Sequence, residues 1–207
     1  MVLKDFVAEH KEANCGVVRI GQIAGPGIEL GGRRKGTGTW WNRNEVVPSM
    51  IRSSAAIQAL PDNLLEKDKL RWVPVDTCAC AITDIVHHGK KNDQVVFNIT
   101  NIHSEDTRWS GDIVNHLQKK LQVGKKDPCK IVSLQEWLRL VDEYGVRDDN
   151  PAIKVFDFYE RLLTSDPEGG LAGVIETVKT MGVCESSRNL RPIEWELLER
   201  WMKSWGL

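Results

Sequence analysis

The segment that most constrains the fold of this chain is Val17 to Pro26, which reads V-V-R-I-G-Q-I-A-G-P. Its first four positions carry apolar or long-stemmed side chains, a run typical of a strand that is covered on both faces of a parallel sheet. Gly21 and Gly25 follow, and a glycine lets the backbone approach a ligand or another chain segment closely. The segment predicts a buried strand that ends in a tight loop, and simple turn packing remains an alternative to ligand binding.

The same segment resembles the V-R-x-G-Q-I-x-G-P motif of thioester reductase domains. These are extended short-chain dehydrogenases that end many non-ribosomal peptide synthetases, polyketide hybrids, and aminoadipate or carboxylic acid reductases. Three further blocks follow in the family's order. Trp41–Ser54 is similar to W-N-x-x-E-W-x-P-S-x-I-x-S-S, with Val46 in place of the second tryptophan. Trp72–Asp76 is similar to W-I-P-V-D, and Val96–Asn101 is similar to the strand that ends H-L-V-N-P.

The end of the chain, Pro192 to Gly206, also resembles the end of the family. The resemblance implies an α/β fold, the C-terminal portion of an extended short-chain dehydrogenase of the Rossmann type. That portion is mostly helical with a few strands, and the N-terminal nucleotide-binding strands are missing. We expect residues 1–207 to form a single partial domain. Residues 1–102 would hold the end of the Rossmann sheet plus substrate-pocket elements, and residues 103–207 a C-terminal helical substrate-binding lobe.

The sequence lacks the motif that binds a dinucleotide in this fold. Such a site needs a strand, a glycine-rich turn and a helix whose N-terminal amides meet the pyrophosphate. The glycines at positions 31, 32, 36 and 38 instead flank the basic run 33–35, with no apolar strand before them. They predict a solvated basic loop. In the family, a helix that carries the catalytic tyrosine and lysine precedes the strand that residues 17–20 resemble. Met1 of this chain would fall just after those two catalytic residues. Whether this truncation is biological or an error of gene modelling stays open.

Neither tyrosine of the chain fits the family's catalytic Tyr-x-x-x-Lys pair. In that pair the lysine lowers the pKa of the phenol and holds the nicotinamide ribose. Tyr144 is followed at the fourth position by Asp148, and Tyr159 by Leu163. We therefore assign no catalytic residue to this chain.

Composition narrows the possible partners and location. With 207 residues, 41% of them hydrophobic, the chain can bury a real core. A net charge of -1 gives no support for a nucleic-acid partner, because proteins that bind nucleic acids usually carry an excess of basic residues. No apolar run reaches about 18 residues and no leader pattern is present, so we expect no membrane insertion and a cytoplasmic location.

The five cysteines are scattered and odd in number, which does not resemble a disulfide framework. Cys78 and Cys80 are separated by one residue, and His87 and His88 follow on the same predicted helix. This spacing is poor for structural zinc, so we expect no metal and interpret the thiols as small buried packing groups.

Helical periodicity covers most of the remaining chain. Asn44 is a candidate cap for a helix that extends to about Gln58. Asp76 is a candidate cap for a helix that ends near Gly89 and turns Ala79, Ile82, Ile85 and Val86 inward. Residues 95–99 predict a strand. We expect this strand to lie together with the strand at 17–20 in one sheet, with a helix at 1–13 beside them. Further helices are predicted around a stripe at 113–121, after a Ser133–Glu136 capping box, after Asn150-Pro151, and from Pro192 to the end.

The resemblance implies a whole enzyme that uses hydride from NADPH to reduce a thioester on the phosphopantetheine arm of an acyl or peptidyl carrier protein. The product would be an aldehyde or an alcohol. By position in the motifs, Gly21, Gln22 and Ile23 would line the nicotinamide end, and Trp41, Asn42 and Met50 would border the acyl chain. Packing remains the alternative for each.

Two functions from different classes remain open at this point. The chain is either the substrate-binding part of such a reductase, inactive without the missing upstream nucleotide-binding half, or a non-catalytic remnant. The remnant would bind an acyl carrier protein or an acyl ligand through the same groove.

Overall fold

A computed structural model describes residues 16–27, 41–89, 96–103, 107–125, 127–164 and 176–207. The predicted helix at 1–13, the basic loop and Cys15 lie outside these residues. Contacts divide the chain into two compact units. The first comprises 1–29, 71–102 and 174–191, and the second comprises 30–70, 103–173 and 192–207. The division at residue 102 that the sequence suggests stays a prediction.

The described residues form short strands and mostly longer helices. The strands are β1 Val17–Ile20, β2 Ile23–Ala24, β3 Ala59–Pro61, β4 Val73–Pro74, β5 Val96–Ile99 and β6 Lys130–Val132. The helices are α1 Val46–Ile57, α2 Val75–His88, α3 Val114–Gln122, α4 Leu134–Tyr144, α5 Phe156–Thr164, α6 Val178–Val183, α7 Glu185–Arg188 and α8 Trp195–Trp205. Over these residues, no helix combines the length and the apolar character that a membrane crossing requires.

The first unit is built on a parallel strand pair. β1 pairs with β5 in a register that runs from Val17 opposite Val96 to Ile20 opposite Ile99, which confirms that the two predicted strands share a sheet. The connection between them includes α2, and β2 pairs in parallel with β4 just before that helix. The core under α2 consists of eight buried residues: Val73, Cys78, Ala81, Ile85, Phe97, Ile99, Cys184 and Leu190.

Two burial predictions for this unit are wrong. β1 is not covered on both faces, because Val17 and Ile20 are 37% and 38% exposed. In the part of the chain that the structure describes, β1 pairs only with β5. The inward face of α2 is also displaced by roughly a quarter turn. Ile85 is buried as predicted, but Cys78 and Ala81 share that face, whereas Ala79, Ile82 and Val86 are exposed.

The second unit contains the parallel pair of β3 and β6 and the helices α1, α3, α4, α5 and α8. Its core is rich in buried aromatic side chains whose polar atoms are all satisfied. The indole Nε1 of Trp109 donates to the Pro61 carbonyl at 2.8 Å, and that of Trp137 donates to Ser54 Oγ at 2.9 Å. In α8 the residues Leu198, Trp201, Met202 and Trp205 are buried. Trp201 and Trp205 are therefore packing residues of this core.

The predicted helix faces of this unit are mostly correct. Ile113, Val114, Leu117 and Leu121 are buried, as is the predicted face of α4. Ser133 Oγ accepts a hydrogen bond from the Glu136 backbone N–H at 3.1 Å, which confirms that cap. The Glu136 carboxylate, however, bonds to Arg139 and does not complete the box.

Two predicted helix starts are wrong in detail, and a third is correct. α1 begins after Glu45, which is the N-cap residue, and Asn44 lies one position earlier, where its backbone N–H donates to Asn42 Oδ1 at 3.1 Å. Asp76 lies inside the first turn of α2, where its carboxylate accepts from the backbone N–H groups of Gly27 and Thr77. The helix predicted after Asn150-Pro151 does start there, as a 3-10 turn at Pro151–Val155 that leads into α5. The Asn150 side chain donates to the carbonyls of Val141 and Gly145. Its amide therefore closes the end of α4.

Candidate functional site

The three residues predicted to contact a cofactor lie together at the carboxyl ends of the parallel strands. The Gly21 N–H donates to the Ile99 carbonyl at 2.9 Å, directly beyond the β1–β5 pair. The Gln22 carbonyl accepts from the Val73 N–H at 2.8 Å, and Ile23 lies opposite Val73 in the next pair. This edge of a parallel sheet is where open α/β folds bind ligands.

The turn at Gly21 is closely surrounded. A Cβ atom on Gly21 would lie 3.4 Å from both the Arg71 carbonyl oxygen and Thr100 Oγ1. The next side chain, that of Gln22, is exposed, and its Nε2 donates to the Ile23 carbonyl at 2.9 Å. Ile23 is 38% exposed. A polar amide and an apolar side chain are therefore presented to solvent beside this turn.

Thr100 is a neighbour of this turn that the sequence analysis missed. Its side chain is 8% exposed, and its Oγ1 has no hydrogen-bond partner among the described residues. A buried hydroxyl without a partner is unfavourable. Thr100 takes the place of the valine in the H-L-V-N-P motif. A hydroxyl residue at the end of an apolar strand is the sequence feature that could have identified it as a candidate site residue. Asn101 beside it is satisfied, since its Nδ2 donates to the carbonyls of Trp72 and Arg191.

The three residues predicted to border the substrate lie in the second unit, at and just before α1. Trp41 is 3% exposed, and its ring meets those of Trp201 and Trp205 edge-on at centroid distances of 5.1 and 5.9 Å. Its Nε1 donates to Glu45 Oε2 at 2.9 Å. Met50 is 1% exposed. Asn42 is the exposed member of the three, so it is the one whose side chain solvent or a ligand can reach.

Both tyrosines have structural partners. The Tyr144 hydroxyl donates to Asp149 Oδ2 at 2.9 Å, and the Arg147 guanidinium lies 4.3 Å from its ring centroid. Tyr159 is fully buried and donates to the Val46 carbonyl at 2.7 Å. Burial raises the pKa of Tyr159 well above its ordinary value, so this phenol stays protonated.

The prediction that the thiols are buried packing groups is confirmed for Cys78, Cys129 and Cys184 and wrong for Cys80, which is exposed. Burial raises the pKa of Cys129 to about 11. Cys184 Sγ donates to the Ala81 carbonyl at 3.4 Å. Within the described ranges, no group of three or more His, Cys, Asp or Glu side chains could hold a metal ion.

A surface cavity of about 340 Å³ lies at the C-terminal end of α2, lined by residues that include Asp84, His88 and Arg188. Asp84 accepts hydrogen bonds from the N–H and Oγ of Ser186, at 3.1 and 2.9 Å, and these bonds lower its pKa. The helix of a parallel crossover runs opposite to its strands. The cavity therefore lies near the amino ends of the strands, away from Gly21.

No family model matches the sequence. The chain is nevertheless similar over almost its whole length to several fungal proteins. It is 26% identical to a carboxylic acid reductase of Neurospora crassa, over 98% of this chain and 19% of that protein. It is 28% identical to the adenylate-forming reductase Nps11 of Serpula lacrymans, over 97% of this chain and 18% of that protein. It is also 28% identical to the non-reducing polyketide synthase AC of Didymella fabae, over 91% of this chain and 6% of that protein.

Two solved structures share the fold. The thiolation-reductase di-domain of an archaeal non-ribosomal peptide synthetase superposes with a TM-score of 0.56 at 16% identity, over 96% of this chain and 37% of that one. The aureusimine biosynthetic cluster reductase domain superposes with a TM-score of 0.53 at 15% identity, over 98% and 47%. The chain thus spans less than half of either solved structure and about a fifth or less of the fungal relatives. The resemblance found in the motifs is confirmed, because the chain is similar in sequence to a carboxylic acid reductase and an adenylate-forming reductase and shares the fold of two solved reductase-domain structures.

Proposed function

We propose that this chain is the substrate-binding C-terminal part of an NADPH-dependent thioester reductase. The reductase would release an acyl or peptidyl group from a carrier protein as an aldehyde or alcohol. The chain would act together with a nucleotide-binding segment that residues 1–207 do not contain. The observation that carries the proposal is the similarity over 98% of the chain to a carboxylic acid reductase.

The carboxyl edge of β1 and β5 supports a role at the nicotinamide end of the cofactor. Gly21 lies against the Arg71 backbone and the Thr100 side chain, and Gln22 offers an exposed amide beside it. The unpartnered hydroxyl of Thr100 lies under the same turn. These residues fit the nicotinamide end only, because among the described residues no glycine-rich turn after a strand offers amides to the pyrophosphate. When bound there, NADPH would supply the hydride.

On the substrate side, burial separates the candidate residues into two roles. Asn42 is exposed, so its amide is the group that could hydrogen-bond an acyl or pantetheine carbonyl. Trp41 and Met50 are buried at 3% and 1% exposure. We propose that they hold the start of α1 in place behind Asn42, since Trp41 also bonds to Glu45, the N-cap residue.

The test is to co-express this chain with the part of the aureusimine reductase domain that it does not match. NADPH consumption is then measured with an acyl thioester on a carrier protein. We expect Gln22→Ala to raise the KM for NADPH and Asn42→Ala to raise the KM for the thioester. Each rise should be about three- to tenfold, the effect of losing one hydrogen bond. Val146→Ala is the control, because Val146 is 83% exposed and lies outside the candidate site.

An assembled complex that binds NADPH but consumes none with any carrier-bound thioester would contradict the proposed function. If that complex still bound the acylated carrier protein, the remnant interpretation would replace it. The Tyr144 and Tyr159 hydroxyls already have protein partners, so we expect any acid in the reaction to come from the other segment.

A further inference from the structure

Two arginine residues lie close together at the N-terminal end of α1. Arg43 belongs to the turn that precedes the helix, and the Glu45 N–H closes this turn by donating to the Asn42 carbonyl at 3.0 Å. Arg52 lies in the second turn of α1, and its Nη1 donates to the Arg43 carbonyl at 3.4 Å. Because helical side chains lean toward the N-terminus of their helix, the Arg52 guanidinium reaches back to the turn that contains Arg43.

This arginine pair, Arg43 and Arg52, has no acidic partner among the residues that the structure describes. Arg43 is exposed and Arg52 is half-buried, and the ion pairs in that part of the chain involve other residues. The carboxylate closest to the pair in sequence is that of Glu45, which accepts from Trp41 Nε1 at 2.9 Å. Partial burial and the positive charge of Arg43 lower the pKa of Arg52 below its ordinary value.

The arginine pair has the chemistry of an anion-binding site. Two like charges close together repel each other, and an anion bound between them would remove this repulsion. Guanidinium groups form paired, charge-assisted hydrogen bonds with phosphate oxygens, which match the geometry of their N–H groups. The N-terminal end of α1 adds a partial positive charge nearby. A phosphate ester is therefore a suitable ligand for Arg43 and Arg52.

Neither arginine belongs to the pattern that this chain shares with reductase domains. In W-N-x-x-E-W-x-P-S-x-I-x-S-S, Arg43 and Arg52 occupy two of the positions at which the pattern specifies no residue. Asn42, the exposed candidate for contact with the substrate, directly precedes Arg43 and does belong to the pattern. The arginine pair is thus a feature of this chain beside a site that the pattern predicts.

We propose that Arg43 and Arg52 bind the phosphate group of the phosphopantetheine arm that carries the substrate. The inference rests on the proposed function, in which Asn42 contacts the same tethered substrate. An arm whose phosphate lies on the arginine pair would pass its own amide groups beside Asn42. The Asn42 side chain would then hydrogen-bond the pantetheine part of the substrate, and the acyl group would lie further along.

The exposure of the pair favours the phosphate over an acidic group on the acyl chain. The phosphate joins the arm to the carrier protein, so it stays at a protein surface, whereas the thioester at the other end has to reach the hydride donor. Arg43 is exposed and Arg52 is half-buried, and both can therefore be reached from solvent. This position suits the end of the arm that remains outside the reaction site.

The test titrates the full chain with 4′-phosphopantetheine and with pantetheine, which differ only in the phosphate, and measures both Kd values by calorimetry at low salt. We expect phosphopantetheine to bind about tenfold more tightly, the effect of hydrogen bonds to a charged group. Arg43→Gln and Arg52→Gln should each remove most of this preference without loss of stability in urea, because each removes a like-charge contact. Arg147→Gln is the matched control, because Arg147 is also exposed and lies over the Tyr144 ring.

Four results would overturn this phosphate site. The first two are equal Kd values for the two probes and a preference that persists in both arginine variants. The third is a preference for NADPH over NADH that both variants abolish, which would assign the pair to the 2′-phosphate of the cofactor. The fourth is succinyl-pantetheine binding as tightly as phosphopantetheine, which would assign it to an acidic acyl group. Failure of the proposed function is separate, because a chain that binds phosphopantetheine through this pair but supports no thioester reduction contradicts the activity only.

Discussion

At the scale of single residues, two threonines of the first unit have nearly equal burial and opposite hydrogen-bonding states. Thr180 Oγ1 bonds to both backbone groups of Asn98 at 2.9 Å. Thr100 Oγ1 has no partner among the described residues. Because a buried hydroxyl gives up its bonds to water, the net effect of each side chain on stability depends on what replaces those bonds.

We expect the same substitution to have opposite effects at these two positions. Thr100→Val removes an unsatisfied hydroxyl at constant shape and should raise the free energy of unfolding by about 1 kcal/mol. Thr180→Val leaves the Asn98 N–H and carbonyl without a partner and should lower it by about 1–3 kcal/mol. Urea unfolding of both variants measures the effect. A loss of stability in Thr100→Val would mean that its hydroxyl has a partner.

Cys129 provides a prediction for the pH dependence of stability. Its side chain is buried, and burial raises its pKa from 9.0 to about 11. A pKa that is raised in the folded state contributes stability below the unfolded value, and this contribution is lost as pH rises through the folded value. The free energy of unfolding should therefore fall between about pH 9 and pH 11.

The measurement for Cys129 is the free energy of unfolding at several alkaline pH values in reducing buffer. Cys129→Ala should flatten the decline, although its packing cost lowers stability at every pH. Cys80→Ala is the control, because Cys80 is exposed and this variant keeps Cys129. An equal decline in all three proteins would assign it to other groups.

At the scale of elements, the N-terminus of α4 is capped by the side chain of Ser133, and the contribution of this cap to stability can be tested by substitution. Ser133 Oγ accepts from the Glu136 N–H, while Glu136 pairs with Arg139 on the exposed surface. We expect Ser133→Ala to lower the free energy of unfolding by about 1 kcal/mol. Ser133→Asp should retain most of the wild-type free energy of unfolding, since aspartate is also a good N-cap. Equal losses in both variants, measured by urea unfolding, would show that the cap itself contributes little.

α2 illustrates how an element can be correctly placed in the sequence and wrongly oriented. Its extent was predicted to within a residue or two, but its apolar residues form two stripes, and periodicity cannot decide which stripe faces the core. The choice depends on where β5 and α7 lie relative to the helix, which is tertiary information. In α4 a single apolar stripe opposes charged residues such as Arg139 and Glu143, and there the predicted face is correct.

At the scale of the whole molecule, the affinity for NADPH decides whether the chain needs a second, nucleotide-binding segment. We expect the isolated chain to show no saturable NADPH binding in the micromolar range, because it lacks the glycine-rich turn that would cradle the pyrophosphate. Quenching of its eight tryptophans during an NADPH titration provides the measurement. Saturable micromolar binding would show that the described edge at Gly21 is enough for the cofactor, and it would remove the need for a second segment.

The sequence by itself indicated the resemblance to reductase domains, a sheet shared by the strands at 17–20 and 95–99, and the turn at Gly21. These properties follow from local composition and from motif order, which are written along the chain. Only the tertiary structure decided that β1 and one stripe of α2 stay exposed, that Trp41 and Met50 are buried behind Asn42, and that Thr100 lies unpartnered below the turn. Burial depends on which neighbours pack against a residue, and those neighbours come from distant parts of the sequence.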